Sequence, residues 1–463
     1  MGEGEALPQF YIFNFSFYIV CPRQTVIYRR FYMSDFYHSV RLDSEKCRGC
    51  TNCIKRCPTG AIRVREGKAH IIKERCIDCG ECIRVCPYHA KFAEHDSLEQ
   101  IHNFKYNVAI PAPSLYGQFN NLDDVDYVLT ALKALGFDDV VEVAKAAELV
   151  SDATRKLFEQ GILKKPVISS ACPAVVRLIR VNFPNLIDHV VPLTSPMEVA
   201  AGIAREKARA DSGLDDEDIG VFFITPCPAK ITAIKSPVCL EKSAINGAFA
   251  IKDIYPALVQ KMNHLTETEG IKDSGVIGVG WATGGGEANS LLKDNCLAAD
   301  GIDNVINILN ELEDEKLPDI EFIELNACTG GCVGGSLTYE NPYVAKARIK
   351  RLRKYLPVSC NRLDTVDVPD SMFWHKALVA TDVMKLADTV PEAMRKMAAK
   401  REILEKLPGL DCGTCGAPSC AALADDIVRG FASEKDCVFM LRDQLSGIDR
   451  ELIPAPYRAK EKE

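Results

Sequence analysis

Between residues 105 and 365 the chain alternates short apolar runs with longer stretches of helical character. The runs Asn107–Ile110, Pro166–Ser169, Val221–Thr225, Val276–Val279 and Phe322–Leu325 are of strand length. Such strands, separated by helical segments, predict an α/β domain with largely parallel sheets. A helical connector follows. In its second half Thr389 and Glu392 stand in capping-box spacing, and apolar positions recur at Met394, Met397, Ile403 or Leu404 and Leu407 before Pro408 and Gly409 end it. Two near-identical cysteine runs make residues 41–95 an internal repeat, and a compact cysteine module closes the chain.

A chain of 463 residues is too long for one core, so two to four domains are expected. The formal charge of −8 argues against a nucleic-acid partner, which demands a basic surface. Twenty cysteines change the picture more. A disulfide scaffold this rich in cysteine would be short and secreted, whereas here the cysteines cluster tightly in a long chain, which suits metal thiolates. Thiolates need protection from oxidation, so a reducing, anaerobic cytoplasm is the expected compartment. Residues 1–40 read as a disordered or misannotated N-terminal extension. The first 32 residues hold nine aromatics, yet the apolar run Phe10–Val20 is too short to span a bilayer, and Glu3 and Glu5 stand where a signal peptide carries positive charge. The natural start is expected near Met33, and no membrane partner is expected.

Cys47-x2-Cys50-x2-Cys53-x3-Cys57-Pro58 is followed by Cys76-x2-Cys79-x2-Cys82-x3-Cys86-Pro87. This is the two-cluster bacterial ferredoxin run, in which the fourth cysteine serves the other cluster. Cys47, Cys50, Cys53 and Cys86 are expected to hold one [4Fe–4S] cluster, and Cys57, Cys76, Cys79 and Cys82 the second. A pair of zinc sites is the rival, but zinc sites rarely use this doubled run with its trailing proline. Near the C-terminus, Cys412-x2-Cys415-x4-Cys420-x16-Cys437 resembles the single-cluster [4Fe–4S] domain of membrane electron-transfer complexes and corrinoid proteins, with zinc as the alternative.

In the central region, Ser170-Ala171-Cys172-Pro173, Thr225-Pro226-Cys227-Pro228-Ala229-Lys230 and Asn326-Ala327-Cys328-Thr329-Gly330-Gly331-Cys332-Val333-Gly334-Gly335 resemble the three signature motifs of [FeFe] hydrogenases, in the family's order. The resemblance covers about residues 105–365. It implies a hydrogenase domain of two sheet-and-helix lobes at 96–370, flanked by the α+β ferredoxin-like domain at 41–95, a helical connector at 371–400 and the C-terminal cluster domain at 401–463. It further implies that Cys172, Cys227, Cys328 and Cys332 bind another [4Fe–4S] cluster, the cubane of the H-cluster. Cys332 would bridge that cubane to a diiron unit carrying CO, cyanide and a bridging dithiolate, and Lys230 would donate to a cyanide ligand. Pro226, Thr225, Asn326, Thr283 and Gly284 fall at positions that line or shape this cofactor site in the family. Taken alone, Cys172 and Cys227 would read as small buried hydrophobes. Cys21, Cys239, Cys296 and Cys360 match no motif.

The chain also departs from the family. Catalytic members place a proton-carrying cysteine where Ala171 stands, and alanine cannot carry a proton. The family's relay serine falls at Val191. Where the family has glutamates this chain reads Ser151-Asp152-Ala153-Thr154, with Asp152 the only carboxylate. Thr225 and Asn326 replace methionines. Such departures mark the sensory or regulatory branch, here without an added PAS domain. The expectation is a slow [FeFe] hydrogenase that interconverts H2 with protons and electrons, acts in H2 or redox sensing, and exchanges electrons with a carrier such as ferredoxin. A signalling partner and a homodimer are further expectations. The rivals are an iron–sulfur electron-transfer or assembly protein without the diiron unit, and a binding module that signals to a kinase or phosphatase.

Overall fold

A computed structural model of the chain describes residues 36–445. Cys21, Met33 and nearly all of the N-terminal extension lie outside the described residues, but the expected boundary at residue 40 is too late: His38 and Ser39 are buried, Ser39 Oγ donates to Pro228 O at 2.7 Å, and Val40 opens the first strand. The doubled cysteine run folds around two antiparallel pairs. Strand β1 (Val40–Leu42) pairs with β4 (Lys91–Ala93), and β2 (Ile62–Arg65) forms a hairpin with β3 (Lys68–Ile71). Each cysteine run closes on a one-turn helix, Asn52–Lys55 or Glu81–Arg84.

Seven further strands follow: β5 (Tyr106–Pro111), β6 (Asp139–Val140), β7 (Val167–Ile168), β8 (Ile219–Thr225), β9 (Gly247–Ala250), β10 (Cys296–Asp300) and β11 (Phe322–Asn326). They form two wholly parallel sheets, in the orders β6–β5–β8–β9 and β10–β11–β7. In β8 every residue of Ile-Gly-Val-Phe-Phe-Ile-Thr is buried, as expected of a central parallel strand covered on both faces. Phe222 of β8 stacks on Phe249 of β9 with ring centroids 5.2 Å apart, in the same core as Leu129, Leu132 and Ile224.

One of the five expected strands is a helix. Val276–Gly280 winds with its first amides held from outside: Gly275 and Gly278 donate to the buried carboxylate of Glu148, at 2.7 and 3.4 Å, and Val276 and Ile277 to the carbonyls of Pro357 and Val358, at 2.7 and 3.1 Å. The run at Pro166–Ser169 keeps only Val167–Ile168 in the sheet. Strands at Asp139, Gly247 and Cys296 were not foreseen, being too short or too mixed in polarity to stand out. The connector helix spans Val390–Lys406, continuous across residue 400, while residues 371–389 hold a short 3₁₀ turn at Asp382–Met384, the end of another at Asp370–Met372 and a single antiparallel bridge from Phe373 to Leu193. Thr389 is its N-cap residue but makes no side-chain cap, so the expected capping box is not formed; Glu392 instead meets Lys396 at 2.9 Å.

In parallel sheets ligands gather beyond the carboxyl ends of the strands. The chain reaches the same place from both sheets. Ala112 and Pro113 follow β5, Val143 follows β6, Ala171 follows β7, and Asn326 ends β11, and all five residues line one cavity.

Candidate active site and cluster cavities

Cys172 and Cys227 each stand at the N-cap of a helix, Pro173–Asn182 and Pro228–Lys235, with proline opening the first turn. Two helix N-termini thereby turn their free N–H groups and positive dipole ends toward one spot, an arrangement that favours an anion. Cys328 and Cys332 reach the same spot from the loop after β11, and the four thiols line a single cavity. That loop depends on Gly331, whose φ is +86° and whose missing Cβ would lie 2.3 Å from the Gly284 nitrogen.

Cys332, Lys230 and Asn326 line this cavity and also the neighbouring one, so they form the wall between the two. The Lys230 ammonium lies 3.8 Å from the Cys332 sulfur. Burial opposes its charge, yet the neighbouring sulfurs, Cys332 foremost, raise its pKa above the usual lysine value. Burial pushes the thiols of Cys172 and Cys227 up and that of Cys328 to about 11. Buried thiols that resist ionisation become ligands when a cation compensates the thiolate charge, because a coordinating thiol is deprotonated outright. Four converging soft donors, two helix N-termini and a half-buried ammonium therefore fit an iron–sulfur cluster with a further anionic group beside Cys332.

The second cavity is lined by Ala171, Met197, Trp281, Glu287 and Glu324 beside the shared wall. Its two glutamates escaped the sequence reading. Glu324 lies on β11 and accepts hydrogen bonds from Gly285 N (3.0 Å), Ala288 N (2.8 Å) and Asn326 Nδ2 (2.6 Å). Glu287 is bonded to Ser169 Oγ at 2.5 Å, and Ser169 Oγ accepts the Ala171 amide at 3.1 Å. Burial, then the charge of Glu324, pushes Glu287 up to about 8, while Glu324 is raised by burial against the pull of its donors. Burial and the neighbouring charge thus favour the protonated form of Glu287, which Ser169 links to the amide of Ala171, the position where the family carries its thiol. Behind it Ser290 Oγ donates to the Glu287 carbonyl at 2.6 Å and meets Ser151 Oγ at 2.8 Å. A glutamate inside the apolar run Phe322–Leu325 and another directly after Gly284-Gly285-Gly286 were the available signals; no spacing rule joins them.

Four residues expected at the cofactor line neither cavity. Thr225 is fully buried and bonds the amide and carbonyl of Cys227, both at 3.1 Å. Thr283 donates to Gly280 O, the Pro226 carbonyl accepts Leu337 N, and Gly284 N donates to Gly330 O. They position the cysteine loops because their polar groups are spent on backbone turns. Asp152 is likewise turned away. Burial alone would raise its pKa, but Arg155 at 2.9 Å, the Leu363 amide and Lys156 hold it below the usual range. Val191 is packed with Val150 and Leu193 in a separate apolar cluster.

In the N-terminal region Cys47, Cys50, Cys53 and Cys86 line one cavity and Cys57, Cys76, Cys79 and Cys82 another, so the fourth cysteine of each run crosses to the other group. Cys79 also lines the cavity of Cys172, Cys227, Cys328 and Cys332. His38, Cys76 and Asp78 bring potential ligand atoms within 4.8 Å of one another, but Asp78 is engaged by His38 at 2.8 Å and Arg177 at 3.1 Å, which fastens this region to the helix Pro173–Asn182. In the C-terminal module Cys415, Cys420 and Cys437 share a small core with Leu407, Ala417 and Leu423, and Cys412 acts electrostatically on Cys415.

Cysteine-lined cavities in a row, ending at a chamber with a buried acid, define an iron–sulfur protein of the oxidoreductase class. The family described as iron-only hydrogenase large subunit, C-terminal domain, matches residues 105–245 and 245–336, together half of the chain. The protein belongs to this family. A 4Fe-4S dicluster domain matches residues 39–87, and an Fe-S cluster domain matches 407–439. The chain is 28% identical over 215 residues to the periplasmic [Fe] hydrogenase large subunit of Nitratidesulfovibrio vulgaris, covering 42% of this chain and 51% of that one. It is 23% identical over 307 residues to iron hydrogenase 1 of Clostridium pasteurianum, covering 54% and 53%. It thus spans about half the length of these curated relatives. The solved [FeFe]-hydrogenase HydA1 of Chlamydomonas reinhardtii overlaps 55% of this chain and 86% of its own, with 15% identity and a TM-score of 0.44. Among the described residues no helix is long and apolar enough to cross a membrane.

Proposed function

We propose that the protein is a slow [FeFe] hydrogenase of the sensory type, interconverting H2 with two protons and two electrons. The observation that carries this reading is the shared wall: Cys332, Lys230 and Asn326 face a four-cysteine cavity on one side and the Glu287 chamber on the other. A diiron unit with CO, cyanide and a bridging dithiolate would supply the redox-active metal for H2 chemistry. Cys332 would hold it against the cubane, and Lys230 would donate a charge-assisted hydrogen bond to one of its anionic ligands. Glu287, neutral and bonded to Ser169, takes the place of the missing thiol as the group that lends and regains a proton at the chamber. Four [4Fe–4S] clusters, counting the cubane of the H-cluster, would carry the electrons, and a low-potential carrier such as ferredoxin would exchange them in the cytoplasm of an anaerobe.

Ala171 favours a second reading, an iron–sulfur electron-transfer protein without the diiron unit. Infrared spectra after co-production with the hydrogenase maturases separate the two. Bands of bound CO and cyanide, with H2 oxidation and evolution far slower than in catalytic family members, are expected. Their absence from protein with all its cubanes would overturn the hydrogenase reading. Ala171→Cys should raise the rate only modestly, because Val191 and Asp152 leave the usual path unbuilt.

A further inference from the structure

The C-terminal module is locked onto the β2–β3 hairpin rather than tethered to it. Val64 of β2 lines the cavity of Cys47, Cys50, Cys53 and Cys86, and its N–H donates to Gly416 O at 2.8 Å. Gly416, at φ +80°, lies so close that a Cβ would fall 1.9 Å from the Val64 carbonyl. Beside it Arg65 Nη1 donates to Cys415 O at 2.7 Å. The contact is clamped by charge. Arg63 grips Asp426 with two hydrogen bonds of 2.5 and 3.0 Å, Arg65 adds a third at 3.0 Å, and Arg75 meets Asp425 at 3.1 Å. The Arg63 and Asp426 side chains are only 7% and 6% exposed. Desolvating such charges is costly unless the geometry is good and every lone pair is used, so this clamp specifies one orientation. At the opposite end of the ferredoxin region, Cys79 belongs to both the second ferredoxin cavity and the cavity of Cys172, Cys227, Cys328 and Cys332.

We propose that the C-terminal module is the outer port of a single-file electron path. A one-electron iron–sulfur carrier protein exchanges with the Cys412–Cys437 site, which exchanges with the Cys47–Cys86 site, then the Cys57–Cys82 site, then the site at Cys172 and Cys332. Each step moves one electron, oxidising one cubane and reducing the next, with no proton or ligand exchanged. The inference rests on the hydrogenase reading only for what lies at the inner end, so protein made without the maturases tests it independently. Iron–sulfur-reconstituted full-length protein, reduced with dithionite, should show electron paramagnetic resonance lines split by coupling between the C-terminal cluster and a ferredoxin-type cluster. Asp426→Asn, which keeps every cysteine, should retain the iron while the splitting is lost. It should also slow reduction of the ferredoxin-type clusters by a reduced two-cluster ferredoxin, but not by dithionite, which is small enough to reach each site. Should Asp426→Asn fail to fold, Cys437→Ser serves: it should lose about four irons per chain and the same splitting. Uncoupled spectra in the wild type, or equal rates with the ferredoxin donor in wild type and variant, would overturn the proposal and point to entry at the exposed Cys50.

Discussion

At the scale of single residues, Glu287 and Cys332 have separable roles. Glu287→Gln keeps the shape and the Ser169 contact but removes the group that can give up a proton. Loss of a positioned acid–base group typically costs about 10²–10⁴ in rate, so H2 turnover should fall by that order with iron content and infrared bands unchanged. Unchanged turnover would show that protons arrive elsewhere. The same residue also affects stability. Its pKa is raised to about 8, by burial first and Glu324 second, so the folded state keeps a proton that the unfolded chain releases near the ordinary carboxyl value of 4.5. Where the unfolded chain binds fewer protons, stability declines as pH rises, here across the window from that ordinary value to about 8. Glu287→Gln should therefore lose less stability than wild type on passing from about pH 5 to about pH 8, as read in denaturant melts. Cys332→Ser should abolish diiron incorporation while the ferredoxin-type signals survive, because serine is a poor soft ligand and only Cys332, among the described cysteines, faces both cavities. Retained CO bands in that variant would refute the bridging role.

Among the elements, the loop after β11 shows how backbone geometry sets chemistry. Glu324 ties Gly285 and Ala288 to β11, Gly284 N bonds Gly330 O, and Gly331 packs on Gly284. Gly331→Ala must accept both a positive φ and a 2.3 Å contact with backbone, so it should lower stability by at least about 1–3 kcal/mol. Because the strain falls between Cys328 and Cys332, iron at that site should drop while the ferredoxin-type clusters remain; thermal melts and iron analysis read the two effects. A variant as stable and as iron-rich as wild type would mean that the loop has room to shift. The helix at Val276–Gly280 belongs to the same scale. An apolar run of this length is compatible with strand or helix, and distant partners decide between them: Glu148 accepts the Gly275 and Gly278 amides, and the Pro357 and Val358 carbonyls accept those of Val276 and Ile277.

For the molecule as a whole, sixteen of the twenty cysteines fall into four groups of four along one chain. Four cubanes would give about 16 irons in protein made without the maturases, and about 18 with the diiron unit. Values near 12 would remove one cubane assignment, with the C-terminal module, where zinc is the rival, the first to be questioned. The parallel strands explain why the groups can share one path. The carboxyl ends of β5, β7 and β11 all open at the Glu287 chamber, and the ferredoxin region is pinned beside it by Asp78 with Arg177 and by Arg84 with the Gly334 carbonyl at 2.6 Å.

What the sequence by itself determined is local. Cys-x2-Cys-x2-Cys-x3-Cys-Pro, the Cys-Pro pairs that open helices, and the glycines around Cys332 each work within one turn or loop, so spacing carried the ferredoxin groups and alternation carried the parallel α/β layout, while the group of Cys172, Cys227, Cys328 and Cys332 and the position of Lys230 were legible only through resemblance to a family's motifs. Only the tertiary structure decided which distant residues meet. Glu287 and Glu324 come together because a helix and a strand of separate sequence segments share one buried wall, where low polarity and like charge lift a carboxyl pKa that no residue pattern encodes. The module at Asp425 and Asp426 finds Arg63, Arg65 and Arg75 across more than three hundred residues, and side-chain pairing at that separation leaves no periodic trace in the chain.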